Sequence, residues 1–443
     1  MNIILLSGGS GKRLWPLSNE IRSKQFLKLF KTDSGDYESM VQRVYRQLRK
    51  VDSDCKITIA TSKYQVSSIL NQLEENVSIS VEPCRRDTFP AIALATAYLH
   101  DIQGVNENEA VIVCPVDPYV DDDYFVVLRE LGEQAERGQA NLVLMGIEPT
   151  YPSEKYGYII YKSKKGVNKV EAFKEKPDIE TAKKYISKGA LWNGGAFAYK
   201  LKYVLDISKN LLGTNVYAEL LSNYENLAKE SFDYAVVEKE TNMHVVKFDG
   251  EWVDLGSWNT LTETMSERII GTAMMDNACQ NVHIINELEV PILVMGLHDV
   301  VVSASPDGIL VSDKNQSGYL KQYVDKLNHD TMFAEKSWGC FRVIDAESES
   351  MTIKVTIKLG DSMNYHSHDH RDEVWVVVSG KGRTIVNDVE QSINPGDVIT
   401  MKSGCRHTVI ADTELKLIEV QIGKDITVHD KKKYPLKKLT VMN

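Results

Sequence analysis

Several groups of residues in this chain have the types and spacing to do chemistry. Near the start, Leu6-Ser7-Gly8-Gly9-Ser10-Gly11-Lys12-Arg13 sets three glycines in four residues beside two cations, and Lys24 follows. Glycines at 8, 9 and 11 let backbone N–H groups turn toward an anion without Cβ obstruction, while Lys12 and Arg13 put positive charge where a polyphosphate would lie. Asp117 and Asp254 are carboxylates that, meeting at one point, can hold Mg²⁺ through a triphosphate; alone, each reads as a helix cap or turn residue. In Glu175-Lys176-Pro177-Asp178 the proline fixes the exit of the chain, so Lys176 reads as a directed charge or, more plainly, as an exposed turn. Trp192-Asn193-Gly194-Gly195 offers an amide beside glycines that permit close approach, suited to a sugar hydroxyl or else to a turn ending a helix. Far downstream, His366-x-His368, Glu373 and His407 are spaced so that three imidazoles and a carboxylate converge on one ion, for which Zn²⁺, Fe²⁺, Mn²⁺ and Ni²⁺ are all suitable; histidines satisfied within a metal-free core are the alternative.

Two better-known glycine motifs are excluded. A P-loop needs glycine where Leu6 stands and a hydroxyl where Arg13 stands, and the dinucleotide fingerprint needs glycine at Leu14, where Trp15-Pro16 follows at once.

The elements that position these residues are legible as pattern. Ile3–Leu6, Ile57–Ala60, Val111–Cys114 and Leu142–Met145 are short buried-strand runs, and Ala91–Leu99 reads as a helix opening at Pro90. Strands alternating with helices over the first two-thirds predict an α/β domain, with Asp117 emerging at the carboxyl edge of its sheet, where ligands of open α/β sheets bind. From about Asn281 the texture turns to short β-rich segments such as Val300–Val302 and Gly308–Val311. After about His329 strict alternation, as in Thr352–Lys358, predicts an all-β domain. The expected division is 1–265, 266–328 and 329–443.

A chain of 443 residues exceeds one core, and 43% hydrophobic with 26% charged residues is ordinary for a globular protein. The net charge of −10 argues against nucleic acid. Lys431-Lys432-Lys433 and Lys437-Lys438 read as a solvated tail. Six scattered cysteines without C-x-x-C spacing point to reduced thiols, and the absence of a leader or an apolar run of roughly 18 residues points to a cytoplasmic protein without a membrane partner.

Taken together, GGSGKRLWPLS with SKQF, EPCRRDTFPAIALA, PVDP, GIEPTYPSEKYGYI, FKEKPD, LWNGGAF, SFDYAVVEK and WVDLGSW resemble the mannose-1-phosphate guanylyltransferases, across about residues 1–265. Beyond a β-rich linker, Gly360-x5-His366-x-His368-x4-Glu373-x6-Gly380 and Gly396 to His407 resemble a type II phosphomannose isomerase cupin. The resemblance implies a GT-A/Rossmann-like nucleotidyltransferase domain and an all-β cupin barrel. It implies that a sugar 1-phosphate attacks the α-phosphorus of a nucleoside triphosphate, with Arg13, Lys24 and Lys176 as catalytic cations. Leu6, Gly8, Gly9, Gly11 and Lys12 would flank the triphosphate, Glu82 and Pro83 the guanine, and Asp117 and Asp254 the Mg²⁺. Lys176 would meet the sugar phosphate, with Gly157, Glu175 and Asn193 near the hexose, and a homodimer is the expected assembly. Ser23, Val116-Asp117-Pro118, Cys84, Arg85 and Phe89 depart from the family pattern, and the last three stand near the base-reading segment. Nucleobase and sugar therefore stay open, with a cytidylyl or other transfer to a different phosphorylated sugar or polyol as one alternative. A mannose-6-phosphate isomerase and a non-catalytic sensor are others. His366 stands where isomerases carry glutamine and the tail after Gln421 looks short, so the cupin is expected to serve structure, regulation or another small reaction.

Overall fold

Apolar runs too short for helices build a nine-stranded mixed sheet in the computed structural model, which describes residues 1–9, 11–19, 21–73, 77–164, 167–327, 331–424, 426 and 430–435. Ser10, His329 and Lys437-Lys438, singled out above, lie outside the described residues. The chain divides into two compact units, Met1–Leu14 with Ser23–Glu267, and Trp15–Arg22 with Arg268–Asn443.

The sheet belongs to the first unit. Its strand order is Ser78–Glu82, Lys56–Ser62, Asn2–Ser7, Ala110–Pro115, Leu191–Lys200, Leu142–Ile147, Met243–Phe248, Val167–Lys174 and Tyr158–Lys164. Asn2–Ser7 runs parallel to both neighbours, with Leu6 opposite Ala60 on one side and Pro115 on the other. From Asn2–Ser7 the chain steps outward to Lys56–Ser62 and Ser78–Glu82, then returns to Ala110–Pro115 on the other side. The order thus reverses at Asn2–Ser7 and Ala110–Pro115, and a crevice opens at their carboxyl ends, as open α/β sheets require. The glycine loop leaves the first of these strands and Asp117 follows the second.

Helix Thr88–Asp101 begins two residues before the expected Pro90, because Asp87 accepts from Thr88 N and starts the helix there. It is apolar on nearly all sides, as a helix enclosed in a core must be. Phe89 lies in that core, 2% exposed, with its ring centroid 6.5 Å from that of Phe232. It fills the interior and does not face a ligand. Trp192–Gly195, open to reading as a turn, lies inside strand Leu191–Lys200; an irregularity in pairing between Asn193 and Phe197 accommodates Gly195 at φ 71°.

In the second unit, Ile269–Ile270, His283–Asn286 and Val300–Ser305 pair in parallel and Gly308–Asp313 closes the sheet antiparallel. Val282, Ile284, Val294 and Val302 fill this linker's interior. Trp15–Arg22 packs here: Ser305 Oγ donates to Pro16 O at 2.6 Å, Asn19 Nδ2 to Asp307 Oδ2 at 2.7 Å, and Arg22 pairs with Glu287 at 2.8 Å. A Cβ on Gly308 would stand 2.4 Å from the Trp15 ring, so glycine there makes room for the tryptophan. The half of the first motif that follows Leu14 is therefore an anchor.

Downstream, a six-stranded and a five-stranded sheet enclose Val355, Ile357, Trp375, Val377, Val409, Leu415 and Leu417. Strand Ser350–Ile357 buries Ile353, Val355 and Ile357 at every second position, as the alternation requires. The fold is the expected α/β domain, followed by β-rich segments and an all-β domain of two sheets.

Candidate functional site

At the crevice, Gly8 and Gly9 are exposed, and a Cβ on either would meet nothing within 4 Å. The backbone path requires glycine at two places, Gly9 at φ 131° and Gly11 at φ 67°. Gln25 Nε2 donates to Gly8 O at 3.3 Å, while Ser23 Oγ and Gln65 Nε2 both donate to Gly9 O at 3.3 Å. Ser23, a departure from the family pattern, thus helps to hold the loop. A peptide's C=O and N–H point opposite ways, so tying down Gly8 O presents the Gly9 N–H on the other side.

The two carboxylates meet. Short strands Pro118–Val120 and Trp252–Asp254 pair with Asp254 opposite Pro118, which sets Asp254 beside Asp117. Lys24 Nζ lies 3.0 Å from Asp117 Oδ2 and 3.9 Å from Asp254 Oδ1, and donates to Leu255 O at 3.0 Å. Burial works to raise the Asp117 carboxyl, but Lys24, with Arg13 beyond it, outweighs burial and holds it below the ordinary carboxylate range. At Asp254 burial prevails, and that carboxyl is raised despite Lys24 and Arg13, with Asp117 adding to the effect. Oxygen donors converging on a cation are what Mg²⁺ requires, and the protein's own ammonium occupies such a position. The donor set fits the ion.

A second cluster lies across an aromatic wall. Tyr156 packs at 4.8 Å on Trp192 and 5.5 Å on Trp252, so Gly157 and Asn193, next to two of those rings in sequence, and Asp254, two residues after the third, border one region. Glu175 is 5% exposed and ion-paired to Lys176 at 2.6 Å, and Lys176 takes the left-handed conformation at φ 44°. A Cβ on Gly157 would stand 2.5 Å from Glu175 Oε2 and 2.7 Å from Phe173 Cζ, so glycine admits the carboxylate. Gly157 O accepts from Asn193 N at 2.8 Å. The fold therefore brings Gly157, Glu175, Lys176 and Asn193 together. Glu82 stands apart, at the carboxyl end of the edge strand, two strands or about 10 Å from Ser7. Tyr224 donates to its Oε2 at 2.7 Å, and burial raises its carboxyl. Pro83 follows it, Cys84 packs against the core and Arg85 is exposed.

In the second unit His366 pairs directly with His407 across two strands, and the ligand atoms of His366, His368 and His407 lie within 4.8 Å of one another. Each Nδ1 contacts a backbone carbonyl: Asn364 O at 2.6 Å, Asp430 O, and Cys405 O at 3.0 Å. With the Nδ1–H donated there, each Nε2 lone pair is left to face inward. Glu373 enters from the facing sheet, 3.1 Å from His368 Nε2 and 3.1 Å from His407 Nε2. His370, between His368 and Glu373 in sequence, is exposed. Three inward Nε2 atoms and a carboxylate fit a divalent transition metal.

Sequence reasoning missed three interior neighbours. Arg371 donates to Glu373 Oε1 and to His368 Nε2, both at 3.1 Å, and Gln421 Nε2 donates to Glu419 Oε1 at 2.5 Å. Glu419 and Gln421 lie opposite Trp375 and Glu373 on one face of the pairing, so the period-two pattern of Leu417-x-Glu419-x-Gln421 carried the signal. Burial pushes His366 and His368 down, to about 2 and about 4, so both are neutral at pH 7. In metal-stripped protein the unfolded chain takes up protons near pH 6.5 that these folded imidazoles refuse. Their stabilisation is complete above that pH and is lost as pH falls toward 4. Calorimetry of the stripped protein is expected to show a lower unfolding midpoint at pH 5 than at pH 7, with the difference reduced in His366→Gln/His368→Gln.

Residues 2–269 match the model of the nucleotidyl transferase family. The chain belongs to that family. It is a nucleotidyltransferase, and residues 321–435 match the mannose-6-phosphate isomerase C-terminal model. The Xanthan biosynthesis protein XanB of Xanthomonas campestris pv. campestris strain B100 is 30% identical over 455 residues, covering 95% of each chain. The mannose-1-phosphate guanylyltransferase of Escherichia coli strain K12 is 28% identical over 470 residues, covering 96% of each. A solved structure described as mannose-1-phosphate geranyltransferase from Thermus thermophilus is 28% identical, with a TM-score of 0.63 over 74% of this chain and 99% of that one. Divalent metals are typical of both domain types. Among the described residues, no helix of this nucleotidyltransferase is long and apolar enough to cross a membrane.

Proposed function

We propose that this nucleotidyltransferase makes GDP-mannose from GTP and mannose 1-phosphate. An oxygen of the sugar phosphate attacks the α-phosphorus of GTP, the bond from that phosphorus to the bridging oxygen of the β-phosphate breaks, and pyrophosphate leaves. Such a displacement needs in-line positioning and charge neutralisation more than proton transfer. The observation that carries the reading is the pair Asp117 and Asp254, gathered around a cation at the sheet's switch point beside the glycine loop. Both would hold Mg²⁺, which when bound neutralises triphosphate charge. Gly8, Gly9, Gly11, Leu6 and Lys12 line the triphosphate, with Arg13 and Lys24 countering charge on the α-phosphate and the leaving group. Glu82, beside Pro83, accepts from the donor edge of guanine through the oxygen that Tyr224 leaves open. Lys176 meets the sugar phosphate; Glu175 and Asn193 take hexose hydroxyls, and Gly157 keeps the space for Glu175.

The names of the relatives support guanine and mannose. The division at 1–265, 266–328 and 329–443, a homodimer and a cytoplasmic setting, where nucleoside triphosphates are made, belong to the same proposal. The His366, His368, His407 and Glu373 set holds a Zn²⁺, Fe²⁺, Mn²⁺ or Ni²⁺ ion.

Pyrophosphate release is measured with Mg²⁺, mannose 1-phosphate and each of GTP, CTP, UTP, ATP and dTTP in turn. Strong preference for GTP is the expected result. Activity with CTP alone moves the base assignment to the surroundings of Glu82 and Arg85, and silence throughout rejects mannose 1-phosphate as acceptor.

A further inference from the structure

Asp233 is a carboxylate at the sugar side to which the reaction above gives no part. It is the second residue of the short helix Phe232–Ala235 and reaches strand Leu191–Lys200, where its Oδ1 accepts from Asn193 Nδ2 at 2.7 Å. Gly195 N donates to Asn193 Oδ1 at 3.2 Å. The amide is thus held at both ends, and Nδ2 keeps its second N–H for a ligand. The charged groups facing Asp233 are Glu175 and Lys176, on the turn after strand Val167–Lys174; strand Leu191–Lys200 brings the neutral Asn193. Lys176 is paired with Glu175, and Asp233 lies in the field of both, in a region that must receive a phosphate.

We infer that Asp233 is a positioning residue for the sugar 1-phosphate, which fixes the Asn193 amide toward the hexose beside Glu175 and Lys176. The inference rests on the proposed transfer to mannose 1-phosphate. Burial, with Glu175 adding to it, pushes the Asp233 carboxyl up to about 7. Below that pH Asp233 is neutral and the Glu175–Lys176 pair is balanced. Above it the pocket gains a negative charge, which opposes an incoming phosphate. The Michaelis constant for the sugar phosphate should therefore rise as pH passes through the neutral range, while that for the nucleotide, held at the glycine loop, should not follow.

The test compares the wild type, Asp233→Asn and Asp233→Ala in pyrophosphate release with GTP and mannose 1-phosphate from pH 6 to 8, with melting temperatures alongside. Asparagine keeps the acceptor and mimics the protonated acid, so Asp233→Asn is expected to match the wild type at pH 6 and to lose the additional rise in the sugar-phosphate KM toward pH 8. Alanine releases the amide, so Asp233→Ala is expected to raise that KM by roughly tenfold at every pH with the nucleotide KM unchanged. The second ionisation of the sugar phosphate, at about pH 6, affects all three proteins alike, so the difference between their curves reads Asp233. If Asp233→Asn keeps the wild-type pH curve, or if Asp233→Ala raises both KM values equally, the inference is overturned; should alanine unfold the protein, the asparagine curve decides. A wild type silent with GTP and mannose 1-phosphate overturns the proposed reaction, and this inference with it.

Discussion

A protein carrying Asp117→Asn is expected to release pyrophosphate at roughly a thousandth of the wild-type rate while melting at an unchanged temperature. The two halves of that expectation have separate causes. Asparagine fills the same space and its carbonyl oxygen can still accept from Lys24 Nζ, which stands 3.0 Å from Asp117 Oδ2. It also removes the like charge that helps to raise the Asp254 carboxyl. Lys24 is then free to favour Asp254, and the fold loses little. Binding a divalent ion is another matter. Asp117 is held ionised by Lys24 against burial, so at pH 7 it supplies a full negative charge that the amide cannot. With one carboxylate in place of two, ion affinity falls, and raised Mg²⁺ should restore part of the rate. Metal analysis of the same sample is expected to find the ion of the histidine set at the wild-type level, since those ligands lie in the other unit. A variant that keeps more than about a tenth of its rate would remove Asp117 from the metal role.

Asp117 and Asp254 are legible in the sequence because position in the pattern says where they point. Asp117 follows the apolar run Val111–Val116, and a residue just past a buried strand stands at the edge of its sheet. The histidine set is legible because two histidines at alternate positions share a face. Contacts that close over long separations are not. Asn193 and Asp233 are 40 residues apart, Glu82 and Tyr224 are 142, and no periodicity couples them. Asp233 stands inside Ser231–Lys239, a segment that marks the family, yet its part depends on a neighbour that only the fold supplies. Phe89 shows the opposite error. Its place near the base-reading segment suggests specificity, but helix Thr88–Asp101 turns it inward against Phe232. Trp15 and Pro16 follow the glycine loop directly, yet they anchor in the second unit, because Gly308 leaves space for the indole.

Replacing Lys176 with glutamine is expected to lower kcat/KM for mannose 1-phosphate by roughly a hundredfold to a thousandfold, with the nucleotide KM little changed. Lys176 already holds φ at 44°, where any side chain but glycine is strained, so glutamine adds no new backbone cost and the loss can be read as one of charge. The charge matters because of what lies beneath it. Glu175 is 5% exposed and ion-paired to Lys176 at 2.6 Å, and Asp233, raised first by burial, is raised further by the same carboxylate. Without the ammonium, an incoming phosphate meets Glu175 uncompensated, so the variant suffers repulsion as well as a lost attraction. Adding Glu175→Gln to Lys176→Gln should therefore recover part of the affinity for the sugar phosphate, whereas Glu175→Gln alone weakens it by removing an acceptor for a hexose hydroxyl. Opposite signs for one substitution in two backgrounds are the mark of direct coupling between neighbouring groups. Steady-state kinetics on the four proteins of that cycle measures it, and equal effects of Glu175→Gln in both backgrounds would place Lys176 too far from Glu175 to act through it when the sugar phosphate is bound.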